Sequence, residues 1–538
     1  MSTLTDVCGS AVAFSYRSFD RVILNGYVPR LQTPGGVAVF FRDVQHKPIL
    51  AGKVFKDLTE RFVGQVKRFA EQRRIPMLPV TGKQRPGEVA QAALRRAERD
   101  GRFGVVAIIV HQEMARVFAS RHGGGRATNF RVIEDRRLVN HYYFYFRDRE
   151  YGDGFVRICS YPPFSTRIWM NAHGYIQAQL RRRRVRFEAV DNCLVSASDP
   201  RAVQEAADEF TAARVEQIAR KWLAMVPAPL LPEERAAGYE TSLSMYQVEY
   251  CDNVIFEQTR VLNRVFEQIL RDHLHLGRLD MVKVLFDRRP NKRTKTRCAT
   301  RVLREGAVAC LKVFYKKSFL KQYNKAGRLL RTEVCINDPT DVGVRKSLVH
   351  LDYLRRIADH TLTRFQKAQA VAYASAWDRS TFERLTTPSV MGGQRVAALR
   401  FGAPRTMQLL AALACAGLSL CAFSQGQLRT VLVERFGVPP DEVRPTQLSY
   451  QLRKFRGHGL LRKVPGKNLY TLTDLGYRVA IGLTKLHERL LAPLLHSFDD
   501  AVRHSLTEAT HDMDHLLSRI NQDFDQFAQL TTKATTAT

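Results

Sequence analysis

Residues 423–475 read FSQGQLRTVLVERFGVPPDEVRPTQLSYQLRKFRGHGLLRKVPGKNLYTLTDL. The spacing of apolar residues predicts a helix over 425–436, a break at glycine and prolines, and a further helix over 446–457. A tight turn with a basic tip is predicted between two short strands, 460–464 and 469–473. An apolar helix over 407–420 precedes them. This order predicts a winged helix-turn-helix, whose third helix enters the DNA major groove.

The outer face of the third helix and the predicted wing carry polar and basic side chains. Amide groups pair with adenine, and basic groups pair with guanine or contact phosphate. The predicted nucleic-acid contacts are Gln447, Tyr450, Gln451, Lys454, Arg462, Lys463 and Lys467. The alternative is a winged helix that serves only packing or dimerisation, and the polar outer face favours DNA binding over it.

The composition of the chain points to a polyanionic partner. Its 538 residues carry a formal net charge of +32, which favours phosphate neutralisation and counterion release. The nine cysteines are scattered without a CxxC pair, so neither a zinc ribbon nor a disulfide framework is predicted. No secretory signal opens the chain, and no membrane association is predicted. We therefore expect a cytoplasmic protein that binds nucleic acid.

Alternating strands and helices indicate an α/β (α+β) multidomain fold that ends in the winged helix. The predicted divisions are an α/β domain (1–125), an α+β domain with an arginine run (126–232), a strand-rich basic domain (233–376), a linker (377–403), the winged helix (404–490), and an amphipathic helix with a disordered tail (491–538). Within them, 36–41 is predicted as a strand and 200–225 as one helix. The alternating rings of an aromatic strand, 141–148, are candidates for stacking unpaired bases, and at least one of their two sets is expected to be core.

Two basic runs are predicted to contact phosphate. Arg181, Arg182, Arg183 and Arg184 lie at the end of a helix predicted over 172–183, where the alternative is a solvated helix end. The second run contains a proline and an asparagine and is predicted to be a flexible basic loop. Its predicted phosphate contacts are Arg288, Arg289, Lys292, Arg293 and Lys295.

The sequence between Lys312 and Asp338 carries the candidate chemistry. Its Tyr323-Asn324-Lys325 and Leu330-Arg331-Thr332-Glu333 resemble the Y-x-K … L-R-x-E stretch of rolling-circle replication initiators. The resemblance implies a tyrosine that attacks a DNA phosphate beside a divalent metal, Mg²⁺. It implies Tyr323 as nucleophile, Glu333 as metal-binding or orienting carboxylate, and Lys325 as phosphate contact. The alternative is a hairpin with an exposed Arg331–Glu333 network.

The chain as a whole also resembles basic bacterial proteins of unassigned activity that end in a winged helix, which implies a bacterial origin. Together these features predict a DNA-binding protein that acts in replication or mobilisation of a genetic element, with strand nicking and joining. A homodimer through the C-terminal helix is also expected. The alternatives are a transcriptional regulator without catalysis, and an RNA-binding protein.

Overall fold

The computed structural model describes residues 3–80, 84–125, 128–275, 298–305, 308–373, 379–415 and 422–487. The chain divides into two compact units, Met1–Tyr373 and Ala374–Thr538. Among the described residues, no helix combines the length and apolar character needed to span a lipid bilayer.

The first unit is a mixed α/β structure built around one large sheet. Its strands are β1 (Val12–Tyr27), β2 (Met77–Pro79), β3 (Gly104–His122), β4 (Phe130–Asp148), β5 (Gly152–Cys159), β6 (Thr166–Met170), β7 (Phe187–Val190), β8 (Cys193–Ala197), β9 (Ser242–Phe256), β10 (Cys298–Glu305), β11 (Val308–Tyr315), β12 (Ser318–Lys325) and β13 (Leu329–Ile336). Eleven strands form the sheet, in the order β10-β11-β12-β13-β9-β1-β6-β5-β4-β3-β2. In the described strands, only β2 and β3 pair in parallel. The remaining two strands, β7 and β8, form a separate hairpin.

Ten α-helices accompany this sheet in the described part of the first unit. They are α1 (Leu4–Cys8), α2 (Pro34–Val39), α3 (Gly52–Arg73), α4 (Pro86–Arg99), α5 (Ala172–Arg182), α6 (Pro200–Asp208), α7 (Ala212–Ala224), α8 (Pro232–Ala236), α9 (Thr259–His275) and α10 (Leu351–Tyr373). The apolar stripe of α3 is buried, as its 3.6-residue spacing predicts, and its Phe62 ring lies 5.9 Å from Tyr142 of β4. Trp222 of α7 stacks on Phe146 of the same strand at 5.2 Å.

The expected boundaries after residues 125 and 232 fall inside this single unit. Strand β9, from the third predicted division, pairs with β1 of the first and with β13. Strands β5 and β6, from the second division, connect β4 to β1. All three predicted divisions therefore contribute strands to one sheet.

The strand predicted over 36–41 is wrong, because this segment is helical. Helix α2 begins after Thr33, whose hydroxyl accepts a hydrogen bond from the Gly36 amide at 3.1 Å, and a π-helix continues from Phe40 to Val44. A Cβ at Gly36 would lie 1.9 Å from the Arg30 carbonyl oxygen, so this tight turn requires glycine. The helix predicted over 200–225 is divided into α6 and α7, since Thr211 caps a new helix.

The second unit contains the elements expected between 423 and 475. They are α11 (Arg379–Thr386), β14 (Ser389–Met391), β15 (Gln394–Val396), α12 (Pro404–Ala414), α13 (Gln425–Phe436), α14 (Pro445–Gly457), β16 (Leu461–Lys463), β17 (Tyr470–Leu472) and α15 (Asp474–Leu486). Helix α14 buries Leu448, Leu452 and Phe455, the stripe that its sequence predicts. Strands β16 and β17 are antiparallel, with Gly466 at φ 67° in the turn. The assignment as a winged helix stays a prediction.

Candidate active site

The register of the large sheet brings the candidate chemical groups to one face. Across β12 and β13, Tyr323 pairs with Arg331 and Lys321 pairs with Glu333. Across β13 and β9, Glu333 pairs with Cys251, and Cys335 pairs with Glu249. Because paired and alternate residues of a sheet point to the same side, all these side chains share one face.

Glu333 is the centre of this group. The Tyr323 hydroxyl donates a hydrogen bond to Glu333 Oε1 over 2.7 Å. Arg331 Nε lies 2.8 Å from the same oxygen, and Lys321 Nζ lies 2.7 Å from Oε2. Arg331 and Glu333 are 0% and 1% exposed. The alternative of an exposed Arg331–Glu333 network is therefore wrong, since both charges are removed from water and stabilise each other.

Arg331 also holds a second carboxylate, from a distant part of the chain. Its Nη2 lies 2.6 Å from Asp20 Oδ1, and its Nη1 donates to the Asn192 carbonyl oxygen at 3.0 Å. Asp20 lies at a β-bulge of β1, between Phe19 and Arg21. Burial would raise the pKa of Asp20, but the neighbouring His173 and Arg331 outweigh it, so this pKa is lowered.

His173 and Lys325 complete this group. His173 Nε2, at the start of α5, is 3.4 Å from Asp20 Oδ1, and burial lowers the pKa of the imidazole. Lys325 donates a hydrogen bond to the Asn192 side-chain oxygen, and its side chain is only partly buried. We call the set the Glu333 cluster. Its members are Asp20, His173, Asn192, Lys321, Tyr323, Lys325, Arg331 and Glu333.

The Tyr323 hydroxyl is held against a fixed hydrogen-bond acceptor, Glu333. Burial and the negative charge of Glu333 raise the pKa of Tyr323 above its ordinary value. The phenol is therefore protonated at neutral pH, and its hydroxyl is already aimed at Glu333. A hydroxyl nucleophile needs such an adjacent acceptor to attack an electrophile.

The described residues also bring together a group with metal-ligand atoms. Glu249, Glu333 and Cys335 each offer one ligand atom, and these atoms lie within 4.8 Å of one another. Magnesium binds oxygen ligands, whereas burial raises the pKa of the Cys335 thiol well above its ordinary value and keeps it protonated. Both oxygens of Glu333 already contact a phenol, a guanidinium or an ammonium group. The arrangement does not fit Mg²⁺, so we derive no step through a metal.

The arginine run lies at the C-terminal end of α5. Arg182 is 3.5 Å from Glu150, and Arg183 is 3.2 Å from Glu205. Arg181 lies over the Phe187 ring, and Arg184 has a left-handed φ of 57° just after the helix. All four arginines are exposed. The four arginines therefore lie at the end of a helix, and two of them form ion pairs with glutamates. Phosphate binding by these arginines stays a prediction.

The predicted DNA contacts of the second unit differ in exposure. Arg462, Lys463 and Lys467 on the hairpin are exposed, and Tyr450 is 56% exposed. The side-chain oxygen of Gln447 instead accepts a hydrogen bond from Arg405 at 2.5 Å. Gln451 and Lys454 are partly buried, and burial together with the charge of Arg400 lowers the pKa of Lys454.

The second basic run, Arg288 to Lys295, lies outside the described residues, as does the C-terminal helix that was expected to form a homodimer.

Sequence reasoning missed most partners of Tyr323 and Glu333. Lys321 could have been identified from the sequence, because it lies two residues from Tyr323 on the same strand and such residues share a face. Asp20, His173 and Asn192 carry no local signal, since they are between 131 and 303 residues away from Tyr323 in the chain and only the sheet brings them close.

Comparison with known proteins adds little to this geometry. No protein-family model and no curated protein matches the chain. Among solved structures, the chain is similar to a rolling-circle replication initiator protein from Geobacillus stearothermophilus, at 9% sequence identity over 64% of this chain and 79% of that one. The TM-score is 0.19, and a value this low supports no conclusion about the fold.

Proposed function

We propose that the protein binds DNA and breaks and rejoins one strand through Tyr323, in the replication or mobilisation of a genetic element. The observation that carries this proposal is the 2.7 Å hydrogen bond from the Tyr323 hydroxyl to Glu333, inside a buried cluster of charges. A tyrosine that serves only packing does not need a carboxylate fixed by two cations. The resemblance around Tyr323 and Glu333 supports the same roles.

The chemical step is an exchange of one phosphodiester for another. The Tyr323 oxygen attacks a backbone phosphorus, and its proton passes to the carboxylate of Glu333. A phosphorus–oxygen bond to tyrosine forms, while the bond to one sugar oxygen breaks and that oxygen takes up a proton from water. Reversal with a sugar hydroxyl as nucleophile rejoins the strand and needs no energy source.

The other members of the Glu333 cluster position the two reacting groups. Lys321 and Arg331 fix both oxygens of the carboxylate, so that Oε1 stays directed at the phenol. Lys325 is partly exposed and two residues along the same strand, on the same face as Tyr323. Its ammonium group is the natural contact for the phosphate that is attacked.

The remainder of the molecule supports DNA as the substrate. The net charge of the whole chain, +32, favours binding of a phosphate backbone. In the second unit, the helix α14 and the hairpin of β16 and β17 present exposed Tyr450, Arg462, Lys463 and Lys467. We assign site selection on duplex DNA to these elements as a winged helix.

The direct test is incubation of the protein with end-labelled single-stranded, duplex and supercoiled DNA, with Mg²⁺ and separately with EDTA. We expect a nicked or protein-linked strand on a denaturing gel. Tyr323→Phe should abolish it, and Glu333→Gln should slow it by about 10²- to 10⁴-fold, the usual contribution of a general base. Tyr353→Phe is the matched control, because Tyr353 is 55% exposed on α10.

Each alternative gives a different result in the same experiment. Tight duplex binding without a product would favour a transcriptional regulator. Preference for structured RNA without a product would favour an RNA-binding protein. A product that Tyr323→Phe still forms would remove the nucleophile from this tyrosine.

A further inference from the structure

The sheet face that carries the Glu333 cluster also carries a row of aromatic rings. Tyr145 of β4 pairs with Phe155 of β5, Phe155 pairs with Trp169 of β6, and Trp169 pairs with Ile23 of β1. The Phe155 and Trp169 rings are stacked, with centroids 5.8 Å apart and planes at 3°. Tyr143 lies 5.4 Å from Phe155. The sheet thus holds three neighbouring rings, Tyr143, Phe155 and Trp169, in fixed positions.

These three rings are only partly buried, unlike others on the same strands. Tyr145 is 7% exposed and belongs to the core beneath α4, against which Tyr143 and Phe155 also pack. Tyr143, Phe155 and Trp169 retain exposed surface. Next to them, the first turns of α4 form the wall of an open groove of about 510 Å³, and Tyr143, Tyr145 and Phe155 form its floor. Aromatic surface is therefore accessible from a groove large enough for a nucleotide-sized group.

Two arginines are interleaved with the rings. Arg157 of β5 pairs with Tyr143 on one side and with Arg167 of β6 on the other. Arg157 is 2.8 Å from Glu113, so its charge is compensated. Arg167 lies 3.8 Å above the Tyr246 ring, and no carboxylate of the described residues forms an ion pair with it.

The electrostatic surroundings of Arg167 favour an anionic ligand. Burial and the charge of Arg157 lower the pKa of Arg167, the shift that is expected for a guanidinium without an anionic partner. A phosphate group would supply that partner and can accept two hydrogen bonds from one guanidinium. Rings for stacking beside a cation for phosphate are the combination that binds unpaired nucleotides.

We propose that Tyr143, Phe155, Trp169, Arg157 and Arg167, here called the aromatic face, bind an unpaired DNA strand. The bases stack on the three rings, and Arg167 contacts the backbone phosphates. An antiparallel sheet with its rings on one side suits a single strand, because duplex DNA keeps the faces of its bases stacked internally and unavailable.

This inference rests on the proposed function for its choice of DNA, and it connects to the Tyr323 site by geometry. Six strand spacings of about 4.8 Å separate β4 from β12, which is about 29 Å across the sheet. The strand pairings continue on one face from Trp169 through Ile23 to Gln247, and from Arg21 through Glu249 to Cys335. The aromatic face and Tyr323 therefore lie on the same side of the sheet, and the residues between them, Glu249 and Cys335, are buried.

The test uses the full-length chain carrying Tyr323→Phe, so that binding is measured without strand cleavage. Fluorescence anisotropy would measure binding to a labelled dT20, a U20 and a 20-base-pair duplex at several salt concentrations. Trp169→Ala should weaken dT20 binding about 5- to 150-fold, the effect of losing one stacked base, and leave duplex binding within 2-fold. Trp169→Phe should retain most of the affinity, and Tyr353→Ala is the control on a surface away from these rings.

Arg167→Gln gives a second measurement that does not depend on the core. It should lower the salt slope of dT20 binding by about 0.7, the value for one phosphate contact on a single strand. Base stacking should also quench the fluorescence of Trp169 in the wild-type protein, and Trp169→Phe should remove that quenching.

The possible results separate this inference from the proposed function. Unchanged dT20 affinity in Trp169→Ala, together with an unchanged salt slope in Arg167→Gln, would overturn the aromatic face as a binding site. Tighter binding of U20 that depends on Trp169 would overturn the choice of DNA. Loss of dT20 binding in these variants would support the aromatic face even if Tyr323 proved to form no covalent product.

Discussion

Arg331 should be the most sensitive position of the Glu333 cluster for stability. It is fully buried, lies 2.6 Å from Asp20 and 2.8 Å from Glu333, and donates to the Asn192 carbonyl oxygen. Arg331→Met keeps the volume of the side chain and removes its charge. Two buried carboxylates, Asp20 and Glu333, then both lose their contact with the guanidinium group. Breaking a buried ion pair in this way costs about 3–5 kcal/mol, so we expect the free energy of unfolding to fall by that amount.

Urea unfolding monitored by tryptophan fluorescence measures this loss. In a Trp377→Phe background the two remaining tryptophans, Trp169 and Trp222, both lie in the first unit, so the signal reports on that unit. Arg328→Met is the matched control, because Arg328 is exposed three residues away, and its effect should stay within about 0.5 kcal/mol.

A second substitution tests the cause of the loss. Adding Asp20→Asn to Arg331→Met removes one of the unpaired charges and should restore part of the stability, a coupling that two independent sites would not show. Acid unfolding gives the same answer. The pKa of Asp20 is lowered in the folded protein, so its contribution exists above the unfolded pKa of about 3.9 and is lost as the pH falls. Arg331→Met should reduce that loss, because the hydrogen bond between His173 and Asp20 remains. A destabilisation below about 1 kcal/mol would refute the reasoning.

Three further predictions concern packing, pH dependence and site selection. Gly154→Ala should lower the free energy of unfolding by about 1–3 kcal/mol, because its Cβ would lie 2.3 Å from ring atoms of Trp222. Gly52→Ala is the control, because a Cβ there meets nothing within 4 Å, and urea unfolding compares the two variants. Burial and the charge of Arg157 lower the pKa of His141 to about 4. The contribution of this residue to stability is therefore complete above about pH 6.5 and is lost as the pH falls toward 4. His141→Asn should flatten the dependence of the unfolding free energy on pH between these two values. Gln451→Ala should reduce the preference of the second unit for its DNA site in a selection assay, and an unchanged preference would exclude Gln451 as a reader.

The sequence predicts local structure well where the apolar pattern is strong. Periodicity places α13 at its observed bounds and identifies the buried stripe of α14. The pattern misleads at 36–41, where valines and phenylalanines pack at helical spacing behind a proline that starts the helix. It is also silent about β6, because the five residues Thr166–Met170 are too few to show a clear apolar alternation.

The candidate site was only half predictable for a physical reason. Tyr323, Lys325 and Glu333 are close in sequence, so one hairpin brings them together and a short motif can identify them. Asp20 and His173 join through pairing of β1 with β9 and the packing of α5, which depend on the whole sheet. Burial of Arg331 and Glu333 follows from the same sheet, and a sequence pattern cannot report it.

Mass spectrometry of the trapped DNA adduct tests the central claim most directly. The protein would react with an oligonucleotide that carries a bridging phosphorothiolate, whose thiol leaving group prevents rejoining and accumulates the intermediate. After nuclease and protease digestion, we predict that the peptide containing Tyr323 carries the mass of a nucleotide, and that Tyr323→Phe yields no adduct. A nucleotide on another residue, or a cleaved strand without any protein-linked product, would contradict strand transfer by Tyr323.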